Sequence, residues 1–224
     1  MPFTSSHPAI VLPLAYLLPK YVSMAGLVTG SLMPDFEYFF RMEPKSTLSH
    51  TIVGILLFCL PVGLLSSYVF HNIIRNTLID NLPLFLKARF FKIKQFNWDR
   101  QFIEHWFVEM VSIIVGACSH ILWDSFTHGQ YKIYQHPSTA VGAIIICYVI
   151  YKIPKNKETV GKIDKKYWII FILLVVIILF IRFLTGLQIH FEQIGKIIVS
   201  TISACLISIA ITSFIYRPRK NDCL

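Results

Sequence analysis

The residues Ser119-His120-Ile121-Leu122-Trp123-Asp124-Ser125-Phe126-Thr127-His128 place His, Asp and His at i, i+4 and i+8. Imidazole and carboxylate are ligands for divalent metals, and a step of four along an α-helix turns only about 40° while rising about 6 Å. His120 and Asp124 can therefore address one ion, and Asp124 and His128 the same ion or its neighbour. His120 and His128 lie about 12 Å apart along the axis, so all three share one ion only where the helix ends or bends. Two ions bridged by the Asp124 carboxylate are the alternative. An ionisable pair within an apolar run is expensive in a membrane and marks function by default, which outweighs the plain reading that Asp124 pairs with His120 or caps the helix end. His128, at the water boundary where a solvated imidazole is ordinary, is the negotiable member.

The chain that positions these residues is built for lipid. It is 55% hydrophobic and 15% charged, with a mean hydropathy of +0.61, against roughly 25% charged residues in a soluble domain. The formal charge of +9 would suggest nucleic acid in a soluble protein. In a membrane protein such charges set topology and touch anionic headgroups, so membrane lipids are the expected partners and nucleic acid is not. Of five cysteines, Cys59, Cys118, Cys147 and Cys205 sit in apolar runs and Cys223 in the tail; no spacing suggests a disulfide framework or a zinc ribbon. Residues 1–6 carry no Lys or Arg, and Pro8, Pro13 and Pro19 interrupt the first apolar stretch, which argues against a cleaved secretory signal.

These features predict an all-α integral membrane bundle of about five transmembrane helices behind an N-terminal helical segment. Residues 1–50 form that segment and carry ligand candidates. Residues 51–137 form a core transmembrane hairpin with a basic connection, and 138–224 form C-terminal anchor helices. In the first segment, Ser5 and Ser6 are placed to cap a helix over 9–18 that stops near Pro19. Gly26 and Gly30, four apart, invite close approach of another helix. Spans are expected at 51–70, with a kink at Pro61 and Gly63, and at 106–126, 138–151, 168–187 and 194–216, by the rule of about 20 apolar residues per crossing. Residues 71–106, with Arg75, Lys87, Arg89, Lys92, Lys94 and Arg100 among Leu and Phe, read as an amphipathic segment lying in the interface.

If the five spans alternate, the basic stretches 71–106, 152–166 and 217–220 fall on one side, which the positive-inside rule assigns to the cytoplasm. His50 then precedes an inward-going span and His128 ends an outward-going one, so Asp35 and His50 can join the His120–Asp124 pair at the extracytoplasmic face of a cell membrane. His7, Asp35 and His50 are each weak alone, as single polar residues beside turns. Glu37 is a carboxylate that can stand behind the site or accept a proton, as Asp35 can. His71 and His105 belong to the inner interface, and His136 and His190 read as surface residues. A donor set of imidazole and carboxylate without thiolate suits Zn²⁺ first, and also Mn²⁺, Ni²⁺ or Fe²⁺.

Four blocks together carry a resemblance: Met1-Pro2-Phe3-Thr4 to Ser6-His7-Pro8, residues 30–38 (Gly-Ser-Leu-Met-Pro-Asp-Phe-Glu-Tyr), Ser49-His50-Thr51, and residues 119–128. They resemble the bacterial membrane family labelled domain of unknown function 4184, over most of the chain and most strongly in residues 1–130. That family is similar, more distantly, to predicted membrane-bound metal-dependent hydrolases, in which a His, an Asp, a further His and a His-x-x-x-Asp helix form the site. Zinc-dependent phospholipases of the C type use a comparable ligand order. The resemblance implies His7, Asp35, His50, His120 and Asp124 as ligands, with His128 a sixth, and supplies no substrate.

The expectation that follows is a membrane-bound metal-dependent hydrolase acting on a lipid or lipid-linked (phospho)ester at the outer membrane boundary. The alternative is a non-enzymatic membrane protein in which the same residues form a structural metal site or a hydrogen-bonded staple. A transporter is disfavoured, because no inverted repeat is visible and the later spans lack polar residues at depth.

Overall fold

The computed structural model describes residues 6–127, 135–156, 163–186 and 194–217. Among them the protein is all helical, and four helices are long and apolar enough to cross a membrane. In chain order the elements are α1 (Pro8–Leu17), α2 (Met24–Leu32), a 3₁₀ turn at Met33–Asp35 and α3 (Phe36–Arg41). Next come α4 (Ile52–Asn81), α5 (Leu84–Lys94), α6 (Trp98–Thr127), α7 (Gln135–Lys152), α8 (Lys165–Leu184) and α9 (Ile194–Ile215). The four long apolar helices are α4, α6, α8 and α9. At about 1.5 Å per residue, α1 is only about 15 Å long, too short for a hydrocarbon core of about 30 Å; α7 belongs to the shorter apolar helices too.

Two expected boundaries move. Both α4 and α6 are 30 residues long, so they absorb 71–81 and 98–106 and leave only α5 as a separate basic helix. The aliphatic residues between those charges continue the helices, and two wide π-helical turns, Ile55–Cys59 and Phe70–Ile74, let α4 run on. The first turn lies just before Pro61, whose missing N–H and ring would otherwise break the ladder. α6 bends at His105, where φ is −135° and ψ 35°.

The chain divides into two compact units. The first comprises Met1–Arg41, Lys45–Ser67 and Trp98–Ile153. Its organising contact is α2 against α6. A Cβ on Gly30 would run into the backbone carbonyl of Ile113, and one on Gly116 into that of Leu27, so the two backbones meet with nothing between them. Close approach through small residues is how helices associate where the surrounding solvent is itself apolar. Met33, Ile55, Cys59 and Ala117 pack beside this seam, with Val11, Ala15 and Leu27 in a second apolar cluster.

The second unit comprises Met42–Pro44, Tyr68–Asn97 and Pro154–Leu224. Here α8 and α9 pair along a polar seam in which Tyr167 Oη and Ser213 Oγ lie 3.0 Å apart. Two basic stretches far apart in sequence meet: Asn156 N–H donates to the Ala88 carbonyl, Asp164 N–H to Asn81 Oδ1 and Trp168 Nε1–H to the Asn81 carbonyl. The segment around Lys155 and the helix carrying Lys87, Arg89, Lys92 and Lys94 therefore lie on one face of this unit.

Candidate metal centre

Each ligand candidate is delivered by a local feature of the first unit. His7 is the N-cap residue of α1, where Pro8 supplies a helix-ready first turn. The side-chain cap expected from the preceding serines is replaced by His7 itself, which makes no capping bond and turns its ring onto His120, with centroids 3.8 Å apart and planes 20° from parallel. Asp35 closes the 3₁₀ turn forced by Pro34 after α2 and is 4% exposed. His50 immediately precedes Thr51, the N-cap of α4, whose hydroxyl accepts from Gly54 N–H at 2.9 Å. His120 and Asp124 stand one turn apart on α6, held against α2 by the glycine seam.

Glu37 fixes the loop that presents His50. Its Oε1 accepts from Arg41 Nε, Thr47 N–H and the Thr47 hydroxyl at 2.9–3.0 Å, and its Oε2 accepts from Leu48 N–H at 3.0 Å and Ser49 N–H at 2.8 Å. Burial pushes this carboxyl up, but the hydrogen bonds from Ser49, Thr47 and Leu48 outweigh it and hold the group well below the usual carboxylate range. A carboxylate so engaged has no oxygen to offer a reacting proton, so the proton-acceptor reading of Glu37 gives way to a positioning one. Arg41 completes the arrangement as an i+4 ion pair at 2.8 Å.

The five side chains converge. His120 Nε2 lies 3.6 Å from Asp35 Oδ1 and 3.4 Å from Asp124 Oδ2. His50 Nε2 lies 3.7 Å from Asp35 Oδ1 and 3.8 Å from Asp124 Oδ2, and His7 Nε2 3.7 Å from Asp124 Oδ1. These separations are too long for hydrogen bonds. They suit donors around a shared centre, because ligands about 2.1 Å from an ion in a tetrahedron are about 3.4 Å from one another. Two triads, His7–Asp35–His120 and His50–His120–Asp124, each bring their donor atoms within 4.8 Å of one another. The Nε2 atoms of His50 and His120 are buried and make no hydrogen bond, a condition that an ion between them would relieve.

The tautomer of His120 follows from its partner. Nδ1 lies 2.7 Å from the Ser31 carbonyl, which can only accept, so Nδ1 carries a proton and Nε2 is the atom that faces the carboxylates. A backbone carbonyl behind the imidazole is a common way to orient a metal-binding histidine. With Nδ1 held in this bond, only Nε2 is left to bind an ion, so the two triads describe a single centre or a pair in which the second ion is held without His120. His50 Nδ1 is 3.0 Å from Ser49 Oγ. Its pKa is lowered, by burial first, which favours the neutral form that a metal requires.

Tyr38 was not singled out in the sequence. Its ring stacks on His50 at 5.3 Å. Burial raises its phenol pKa, and the Asp35, Asp124 and Glu37 carboxylates add to this against a hydrogen bond with Ser46, so it stays a proton donor beside the centre. The available signal was its position three residues after Asp35, one helical turn away. His128, His190 and the side chain of His136 lie outside the described residues. His71 belongs to the second unit, 3.2 Å from Arg75, and His105 is the bend in α6.

A family model described as "Domain of unknown function (DUF4184)" matches residues 1–131 and 129–214. No curated protein and no solved structure matches the chain. The matched segments cover nearly its whole length, and the chain belongs to this family.

Proposed function

We propose that this membrane protein is a metal-dependent hydrolase whose centre is held by His7, Asp35, His50, His120 and Asp124, and that it acts on a lipid or lipid-linked (phospho)ester. The observation that carries the reading is the convergence of three imidazoles and two carboxylates at separations of 3.4–3.8 Å, with two imidazole nitrogens buried and unbonded. The all-N/O donor set favours Zn²⁺, with Mn²⁺, Ni²⁺ and Fe²⁺ compatible. Bound there, a divalent ion supplies Lewis acidity, polarising a phosphoryl or carbonyl oxygen and acidifying water. Asp35, beside His50 and His120, is the carboxylate that would accept the proton, through the oxygen not given to an ion, and the Tyr38 ring lies against His50. Asp124 and His50, with side chains 17% and 21% exposed, form the open side, while His7 and His120 form the buried floor.

Alternation of five crossings, α7 included, puts the Lys155 face in the cytoplasm by the positive-inside rule and the metal centre at the outer boundary of a cell membrane. A second reading has its own support. Five protein donors are enough to close the sphere of one ion, and closed sites are structural.

Hydrolysis separates the two. Metal-loaded protein in lipid nanodiscs should release product from a phosphoester lipid, and Asp35→Asn should lower turnover by about a hundredfold or more. A wild type that holds metal and turns over neither phosphoester nor carboxylic ester lipids would leave the structural staple.

A further inference from the structure

A cavity of about 690 Å³ lies in the first unit among α1, the last turn of α6, and α7. Its walls are Ser6, just before α1, and one stripe of each helix: Ala9, Ile10 and Pro13 on α1, Trp123 and Phe126 on α6, and Ser138, Val141 and Ile145 on α7. Two of the lining residues, Ser6 and Trp123, are the chain neighbours of the ligand candidates His7 and Asp124. The hydroxyl residues Ser6, Thr127 and Ser138 contribute to the lining, and the rest of the wall is hydrocarbon. α1 and α7 are drawn together where a Cβ on Gly142 would meet Ser6. On the rim, Phe126 is 59% and Val141 55% exposed, so the groove opens towards the surroundings of an apolar surface.

Three properties decide the occupant. The stripe from Ser138 to Ile145 is about 10 Å long at helical rise. A hydrocarbon chain laid along this stripe gains with each methylene it buries, and it asks the wall for no hydrogen-bonding partner. Water gains little in a groove whose walls offer few partners. The groove also adjoins a membrane-spanning helix, where the surrounding molecules are lipids, and a divalent ion held by the neighbouring ligand set would accept a phosphate oxygen as a further ligand.

We propose that the groove holds the hydrocarbon chain of a phosphate-bearing membrane lipid whose headgroup reaches the His7–Asp124 end. This rests on the metal-centre reading and sharpens its substrate class to a phospholipid-type amphiphile bound by headgroup and tail together. The tail fixes which bond lies over the metal centre, and α1 and α7 set how much chain is gripped.

Photolabelling tests it without requiring turnover. A phosphatidic acid analogue with a diazirine on its acyl chain is incorporated into phosphatidylcholine nanodiscs carrying the full-length, metal-loaded protein, and labelled peptides are mapped. Label should concentrate on α1 and α7 residues lining the groove. It should fall several-fold when Val141→Trp and Ile145→Trp, both at exposed positions, fill the groove while metal content and monodispersity stay unchanged. A diacylglycerol probe with the same chain but no phosphate should label the groove several-fold less. Label spread evenly over the lipid-facing sides of α8 and α9, label indifferent to the tryptophans, or equal labelling by the two probes would overturn the proposal, as would a second copy of the chain cross-linked across the groove. Concentrated, phosphate-dependent labelling without hydrolysis supports the lipid site and sinks the hydrolase reading; hydrolysis with evenly scattered label does the reverse.

Discussion

Glu37 shows how far a single side chain controls the centre. Its carboxylate takes three backbone N–H groups and a hydroxyl from residues 47–49, and so fixes the segment from which His50 projects. Because its pKa is held below the unfolded value of about 4.3, its stabilisation is fully present above that pH. It is lost as pH falls through the interval down to the folded pKa. Glu37→Gln leaves N–H groups facing an amide that can accept on only one side, and should lower stability at neutral pH by about 3 kcal/mol. The gap between wild type and variant should narrow as pH drops from about 5 towards 2; thermal melts across this range read it, and a constant gap would contradict the assignment. The same residue marks what sequence can and cannot reveal. Its type and place beside Asp35 point to acid–base chemistry, whereas its engagement depends on a loop ten residues further on, which no spacing rule anticipates. His120 and Asp124 were legible because a helical stripe is a local property. His7 entered through the family resemblance and not through its spacing, since its place depends on a ring stacked across 113 positions of sequence.

At the scale of elements, the seam of α2 and α6 sets the geometry of the site. The hydrogen bond from His120 to Ser31 crosses it at 2.7 Å, so a shift of the two backbones by even a methyl radius would carry the imidazole away from Asp35. The Gly26 and Gly30 spacing announced this approach in the sequence, though not its partner, Gly116 on α6. Gly30→Leu should destabilise the protein by about 1–3 kcal/mol through overpacking and lower its metal content in parallel, measured by thermal unfolding and elemental analysis of the same preparations. Wild-type stability with full metal content would show that the seam does not position the site. Helix ends were harder to foresee than helices. Arg75 and Arg100 look like interface residues, yet they lie within long helices: buried Arg75 donates to Asn76 Oδ1 and the Phe96 carbonyl, and Arg100 pairs with Glu104 one turn on.

At the scale of the molecule, the centre draws its donors from the start of the chain, the turn after α2, the entry to α4 and the end of α6. Residues 7, 35, 50, 120 and 124 share no local pattern; only folding in the membrane brings their donor atoms together. The basic stretches around 87–94 and 155 meet on one face of the second unit. The later helices α8 and α9 carry polar seams and no part of the donor cluster among the described residues. The central claim is therefore that one site assembled from four remote segments holds a metal. Elemental analysis of protein purified without chelator tests this most directly, with wild type beside Asp124→Ala and both checked for monodispersity and helical content. Wild type should carry stoichiometric divalent metal, Zn²⁺ foremost, and a still-folded Asp124→Ala should lose nearly all of it. A metal-free wild type that takes up no ion from metal-supplemented buffer, or an Asp124→Ala that retains the full complement, would contradict it.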